Sequence, residues 1–260
     1  MEMQGQTAVV TGAGQGIGEA TALCLGREGA AVVAVDTNSD TGRATAEAVS
    51  SGGGQATFVQ ADVSDADAVK AMVDHAINAY GKIDAMINVA GIQGMVADVV
   101  DLPQDEWMRV LNINITSVFL CTKHCIPHMR QQGGGVIVNV ASMQSYFNVP
   151  GCAAYAAAKG GIVSLTRCMA LDHARENIRI NAVAPGYIDT PLLRGFVDPG
   201  DPQATLDHWN SRIPIGRLQT PDEVAQVILF LACSRASAVT GVTYPVDGGM
   251  MTAQPTWEAS

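Results

Sequence analysis

The chain is 260 residues long, 48% hydrophobic and only 15% charged. That length and apolar content permit a sizeable core and suit one large α/β domain as well as two small ones. A net charge of −10 repels nucleic acid and anionic membrane surfaces, so neither is an expected partner.

In chain order, Met1-Glu-Met-Gln-Gly-Gln6 has no basic region followed by an apolar stretch, so no secretory leader is expected. Apolar runs then recur as strand candidates: Thr7 to Thr11, Ala30 to Val35, Ala56 to Gln60, Ile83 to Asn88, Gly135 to Val140, Ile178 to Val183 and Val242 to Val246. Runs this apolar fit strands buried on both faces, as in a parallel sheet. Helix patterns lie between them. Ser64 with Asp67 reads as a capping box opening a helix with Val69, Met72, Val73, Ala76 and Tyr80 on one face. Thr220-Pro221-Asp-Glu223 opens another, with proline in its first turn. The glycines at 52–54 and 133–135 read as helix-to-strand turns.

The β-α-β alternation predicts one domain over 1–260, a doubly wound, seven-stranded parallel sheet with helices on both faces. Its dinucleotide-binding half would run to about residue 140, and its catalytic and substrate-binding part from about 141 to 251. Leu192 to Ile215 breaks the pattern with Pro199, Gly200 and Pro202 between two weak helical patches, and reads as a segment covering substrate. The longest apolar run, Val227 to Cys233, is far shorter than the ~20 residues that span a bilayer. Six cysteines without a CxxC or a regular spacing read as free thiols in a reducing compartment, so the expected location is cytoplasmic.

The first strand ends in Thr11-Gly-Ala-Gly-Gln-Gly-Ile-Gly18 and turns into a helix. Glycines admit a pyrophosphate close to the backbone, and the helix N-terminus supplies free N–H groups and a positive dipole end. Asp36 closes the second strand eighteen residues after Gly18. A carboxylate there accepts the adenosine ribose hydroxyls and repels a 2′-phosphate, which points to NAD rather than NADP. Tyr155 and Lys159 stand four residues apart, one helical turn, with Ser142 thirteen residues upstream of the tyrosine. An ammonium beside a phenol is expected to lower the phenol's pKa and make it a usable acid/base near neutrality. Cys121, His124, Cys125 and His128 share one face of a helix in a zinc-like set. Pro127 is expected to interrupt that run, and one straight helix rarely closes a tetrahedron, so no metal is expected.

These residues resemble the short-chain dehydrogenase/reductase family nearly end to end. The glycine loop, Asp62-Val63, Asn88-Val-Ala-Gly91, Asn114, Ser142, Tyr155, Lys159, Pro185-Gly186, Thr190 and Val246-Asp-Gly-Gly249 match its motifs in order. Val89 stands where the family has a second asparagine. The resemblance implies a catalytic set of Asn114, Ser142, Tyr155 and Lys159. In it, Tyr155 moves the proton, Lys159 tunes it and binds the nicotinamide ribose, Ser142 orients the substrate oxygen, and Asn114 holds a water behind Lys159. It implies cofactor contacts from Gly12, Gln15, Gly16, Ile17, Gly18, Asp36, Asp62, Val63, Asn88, Ala90, Gly91, Tyr155, Lys159, Pro185, Gly186, Ile188 and Thr190, and a homotetramer.

Substrate contacts are expected from Ser142, Gln144 and Tyr155. The pocket is expected between Ile92 to Val96, Met143 to Val149 and Tyr187 to Ile215. Met95, Met143, Tyr146, Phe147 and Val149 would make it largely apolar, with Gln144 and Gln93 as polar handles. The expected reaction interconverts a small-molecule secondary alcohol and its ketone. A sugar, polyol or hydroxysteroid substrate stays open. A ketoacyl-carrier-protein reductase fits less well, since the chain is acidic and holds Asp36. A non-catalytic dinucleotide-binding regulator is the alternative of a different class.

Overall fold

The computed structural model describes residues 1–252. The tail with Trp257 lies outside them. Parallel strands β1 (Thr7–Thr11), β2 (Ala31–Asp36), β3 (Gln55–Gln60), β4 (Ala85–Asn88), β5 (Gly135–Val140), β6 (Ile178–Pro185) and β7 (Thr243–Val246) form one seven-stranded sheet in the order β3-β2-β1-β4-β5-β6-β7. Strand order reverses beside β1, so the chain winds outward in both directions from there.

Strand pleating sorts the core into two layers. Ala8, Val10, Val32, Ala34 and Val138 pack on helices α1 (Gly16–Arg27), α2 (Ser39–Ser51) and α9 (Pro221–Ala232). Val9, Val33, Val35, Ile137 and Ile180 pack on α3 (Ala66–Tyr80), α5 (Ser117–Gln131) and α6 (Ala153–His173). Between α3 and α5 lie β4 and α4 (Gln104–Leu111). Between β6 and α9 lie α7 (Pro191–Arg194) and α8 (Pro202–Ser211). The five inner strands β2, β1, β4, β5 and β6 bury both faces, which is why their sequences show runs rather than alternation, while the edge strands β3 and β7 are only partly covered.

Two local expectations change. The cap of α3 is Asp65, whose carboxylate accepts from the Asp67 and Ala68 amides at 2.8 and 3.1 Å. Ser64 instead donates its hydroxyl to Asp62 at 2.7 Å. A carboxylate is at least as good an N-cap as a hydroxyl, and the register moves by one residue. Pro127 does not interrupt α5, which runs through it. Packing of Ile126 and Met129 into the core holds the helix on both sides of the proline. Helix α9 starts where expected, with Pro221 in its first turn, and its start is closed by a capping box in which Thr220 and Glu223 are bonded in both directions. Among the described residues no helix is long and apolar enough to cross a membrane.

Candidate active site

The C-terminal ends of β4, β5 and β6, with the start of α1 beside them, open on one cleft of about 370 Å³, where such sheets bind ligands. β1 feeds the glycine loop into α1. A methyl group on Gly18 would overlap the Gly12 carbonyl oxygen, so loop and helix approach as closely as only glycine allows. No side chain caps the start of α1 at Gln15, which leaves its first-turn amides available. The Thr11 hydroxyl accepts from the Val89 and Ala90 amides at 3.1 and 3.2 Å and so ties this loop to the end of β4.

Asp36 overhangs the loop. One carboxylate oxygen accepts from the Gly14 amide at 2.8 Å and the other from the Asn38 amide at 2.9 Å. A carboxylate offers about four lone-pair sites, so acceptor capacity remains. Asp62 is exposed and organises the turn before α3, while Val63 is buried in the core. Asn88 is buried and donates to Asn139 at 2.8 Å. The Thr190 methyl faces Gly16, which brings the loop after β6 against the glycine loop.

Ser142 lies just beyond β5, and its Oγ accepts from the Gln144 amide at 3.1 Å. Its own proton stays free to donate. Tyr155 and Lys159 rise one turn apart on α6, with the Lys159 Nζ 5.6 Å from the centre of the Tyr155 ring. Lys159 is buried and donates to the Val140 carbonyl at 2.7 Å. Gly91 fits between it and Asn114: a methyl there would sit 2.6 Å from Asn114 Oδ1 and 3.4 Å from Lys159 Nζ.

Asn114 is fully buried in a π-helical turn over Asn112–Thr116. Its amide donates to the Ile92 and Val110 carbonyls, both at 2.9 Å, and accepts from the Ile92 amide at 3.3 Å. Those bonds occupy both ends of the amide and fix the backbone at Ile92. A single-residue widening of this kind is common at functional sites.

The charge pattern corrects one expectation. The Tyr155 pKa is raised, because burial of the phenol outweighs the Ser142 hydroxyl that opposes it. Burial also draws Lys159 down from an ordinary 10.5 to about 8. Its ammonium is directed at the Val140 carbonyl, so the protein's own groups do not make the phenol more acidic.

Ile17, Gly91, Ser142, Gln144, Tyr155, Lys159, Pro185, Gly186, Ile188 and Thr190 all line the cleft. Gly12, Gln15, Gly16, Gly18, Asp36, Asp62, Val63, Asn88, Ala90 and Asn114 lie outside its lining. The expected apolar residues divide: Met143 and Val149 line it, whereas Met95, Tyr146 and Phe147 are exposed outside it. Leu192, Leu193, Phe196 and Trp209 make the Leu192 to Ile215 segment one wall of the cleft, with Trp209 stacked on Tyr187 at 5.8 Å. Cys152 lines the cleft outside the three expected walls, and Trp209 lies within the expected Tyr187 to Ile215 wall without having been singled out. Cys152 stands one turn before Tyr155, a spacing that points to it, but nothing periodic marks Trp209.

The four-residue zinc-like set does not assemble. Cys121 and Cys125 are buried in the core, with burial pushing the Cys125 thiol up to about 12. Among the described residues no group of three or more His, Cys, Asp or Glu side chains is placed to hold a metal.

A doubly wound sheet with a glycine-rich first turn, and a Ser–Tyr–Lys cleft at its carboxyl edge, defines a dinucleotide-dependent oxidoreductase. A family model described as "Enoyl-(Acyl carrier protein) reductase" matches residues 12–251. The chain is 44% identical over 244 residues to cis-4-hydroxycyclohexanecarboxylate dehydrogenase of Sinomonas cyclohexanicum, covering 94% of this chain and 96% of that protein. Its fold superposes on levodione reductase with a TM-score of 0.94 at 35% identity, covering 97% and 100% of the two chains. NAD⁺-bound xylitol dehydrogenase gives 0.90 at 36% identity, covering 96% and 100%. The chain belongs to the short-chain dehydrogenase/reductase family, whose members bind a nicotinamide dinucleotide. The close Gly12–Gly18 cradle and the uncapped start of α1 fit that group.

Proposed function

We propose that this protein is an NAD(H)-dependent secondary-alcohol dehydrogenase, acting as a ketone reductase in reverse, on neutral small molecules. The observation that carries the reading is that Ser142, Tyr155 and Lys159 meet in a cleft whose remaining wall is largely apolar. The cofactor, when bound, supplies the hydride acceptor. Tyr155 takes the alcohol proton, or returns it in reduction, and Ser142 donates to the same oxygen. Lys159 stands one turn beyond Tyr155 with its ammonium 5.6 Å from the ring centre, where it would bind the nicotinamide ribose, and Asn114 fixes the backbone at Ile92.

A relative's name contains a carboxylate. Here Lys159 is the one basic side chain among the described cleft residues, and it is bonded to Val140. Arg212 stands close enough to Tyr187 to lower its pKa, against burial that raises it, but does not line the cleft. A buried anion would therefore lack a partner, which favours uncharged alcohols. An acyl-carrier substrate fits less well, because an acidic carrier meets a chain of net charge −10.

Asp36 carries the cofactor preference. Oxidation of neutral cyclic and acyclic secondary alcohols should proceed with kcat/KM at least ~100-fold higher for NAD⁺ than for NADP⁺, and Asp36→Ala should cut that ratio about tenfold. Turnover with NADP⁺ alone overturns the assignment. The proposed assembly is a homotetramer, supported by exposed apolar side chains such as Leu171, Phe119 and Tyr244. Light scattering should give the mass of four chains, and the mass of one overturns it.

A further inference from the structure

Among the side chains that line the cleft, one fully buried polar atom has neither a partner nor a part in the reaction. Ser142 and Tyr155 face the reacting oxygen in the proposed chemistry. Lys159 is spent on the Val140 carbonyl. Gln93 donates to the Cys152 thiol at 3.0 Å. Thr190 donates to the Ile188 carbonyl and caps α7 by accepting from the Leu193 amide, both at 3.3 Å. Gln144 Oε1 is buried and meets no donor among the described residues. Four other buried side-chain oxygens share that condition, on Asn88, Thr122, Gln219 and Thr243, but none of these residues lines the cleft.

An unmet buried acceptor costs about 1–3 kcal/mol, so its retention in a binding cleft calls for a ligand that supplies the missing bond. The backbone holds Gln144 in place for this. Residues Met143–Ser145 form a single 3₁₀ turn, pinned at one end where Ser142 Oγ accepts the Gln144 amide at 3.1 Å. At the other end the Ser145 hydroxyl donates to the Lys159 carbonyl at 2.8 Å. The Gln144 side chain therefore starts beside the atom that orients the reacting oxygen and reaches one side-chain length away from it.

We infer that Gln144 binds a second hydroxyl of the substrate, so that the preferred alcohol is a diol or a hydroxylated ring rather than a simple mono-alcohol. A hydroxyl both donates and accepts, so it satisfies the amide in either of its two rotamers. The inference rests on the alcohol-dehydrogenase reading and adds a second recognition point to it. The rest of the wall, with Val96, Val149, Leu192, Phe196 and Trp209, suits a carbon skeleton between the two hydroxyls better than a chain hydroxylated at every carbon.

The test compares wild type with Gln144→Leu, which has a similar length and no polar atom. It uses cyclohexanol, cyclohexane-1,2-diol and cyclohexane-1,4-diol with NAD⁺. The readout is the ratio of kcat/KM for the better diol to that for cyclohexanol within one preparation, so any general loss cancels. The expected wild-type ratio is at least ~10, falling about 10- to 100-fold in Gln144→Leu. Gln144→Glu, which keeps an acceptor oxygen of the same reach, should retain more of the ratio. NADH binding, followed by its fluorescence, should be equal in all three proteins. A wild-type ratio near one, or an unchanged ratio in Gln144→Leu, overturns the second recognition point while leaving the dehydrogenase reading standing. Weakened NADH binding in Gln144→Leu with an unchanged ratio assigns the amide to the cofactor and overturns it too. Absence of turnover with every alcohol and both dinucleotides defeats the dehydrogenase reading and this inference with it.

Discussion

Tyr155→Phe should lower turnover by at least ~1,000-fold while leaving the NADH dissociation constant within about twofold of wild type. The phenol sits in the cleft beside Ser142, and burial keeps it in its neutral form near pH 7. Removing the hydroxyl therefore deletes no charge and strands no buried ion. The ring stays and packs as before, so a folding defect is not expected. What disappears in the proposed chemistry is the group that moves the proton, with Ser142 left only to orient the oxygen, and general acid–base catalysis of this kind contributes about 10²–10⁴-fold. Stopped-flow measurement of NADH formation reads the first quantity, and NADH fluorescence titration reads the second. A variant that keeps more than a few per cent of the wild-type rate removes Tyr155 from the acid/base role.

The raised Tyr155 pKa also fixes the sign of the pH profile. Oxidation needs the deprotonated phenol, so its kcat/KM should climb with pH by about tenfold per unit until the phenol has titrated. Reduction needs the protonated phenol, so it should be level near neutrality and fall in alkali. In the proposed chemistry, the burial that makes Tyr155 a weak acid should therefore favour ketone reduction at neutral pH and alcohol oxidation at higher pH.

Much of this was legible in the sequence. Strands β1 and β5 were visible with both boundaries, because buried parallel strands are nearly continuous apolar runs. The i, i+4 spacing of Tyr155 and Lys159 needed only the helix period, and Asp36 needed only its place at the end of β2. Other features depend on tertiary contacts that no local pattern encodes. The Asn114 amide closes on the backbone of Ile92, twenty-two residues earlier in the chain, a contact that no local pattern announces. Trp209 reaches the cleft only because the segment from Leu192 to Ile215 folds back over the end of the sheet. The Tyr155 pKa could not be read from spacing, since desolvation is a property of the whole surrounding shell and here exceeds the effect of the Ser142 hydroxyl.

Lys159→Met should abolish measurable turnover and yet raise the melting temperature of the protein in nucleotide-free buffer at pH 7. In wild type the amine is buried with one carbonyl as its hydrogen-bond partner, and its pKa falls from an ordinary 10.5 to about 8. A drop of that size corresponds to about 3 kcal/mol of folding stability given up to hold the charge inside. Loss of the bond to the Val140 carbonyl offsets about 1–2 kcal/mol of the gain, and methionine fills a similar volume. The balance is about 1–2 kcal/mol in favour of the variant, or a few degrees in Tm for a chain of this length. The sign follows from linkage. Below pH 8 the amine is protonated in both folded and unfolded chains, so the full cost is present. Between about pH 8 and 10.5 the unfolded chain binds the extra proton, so wild-type stability from this group rises with pH and the cost disappears. Calorimetry at pH 7 and again near pH 10 should therefore show the variant melting higher at the first and no higher than wild type at the second. A variant that melts lower than wild type at pH 7 would mean that the Lys159 ammonium stabilises the fold, and its retention would then need no catalytic explanation. The expected result assigns Lys159 a cost that folding does not require, and positioning of Tyr155 is the function that accounts for it.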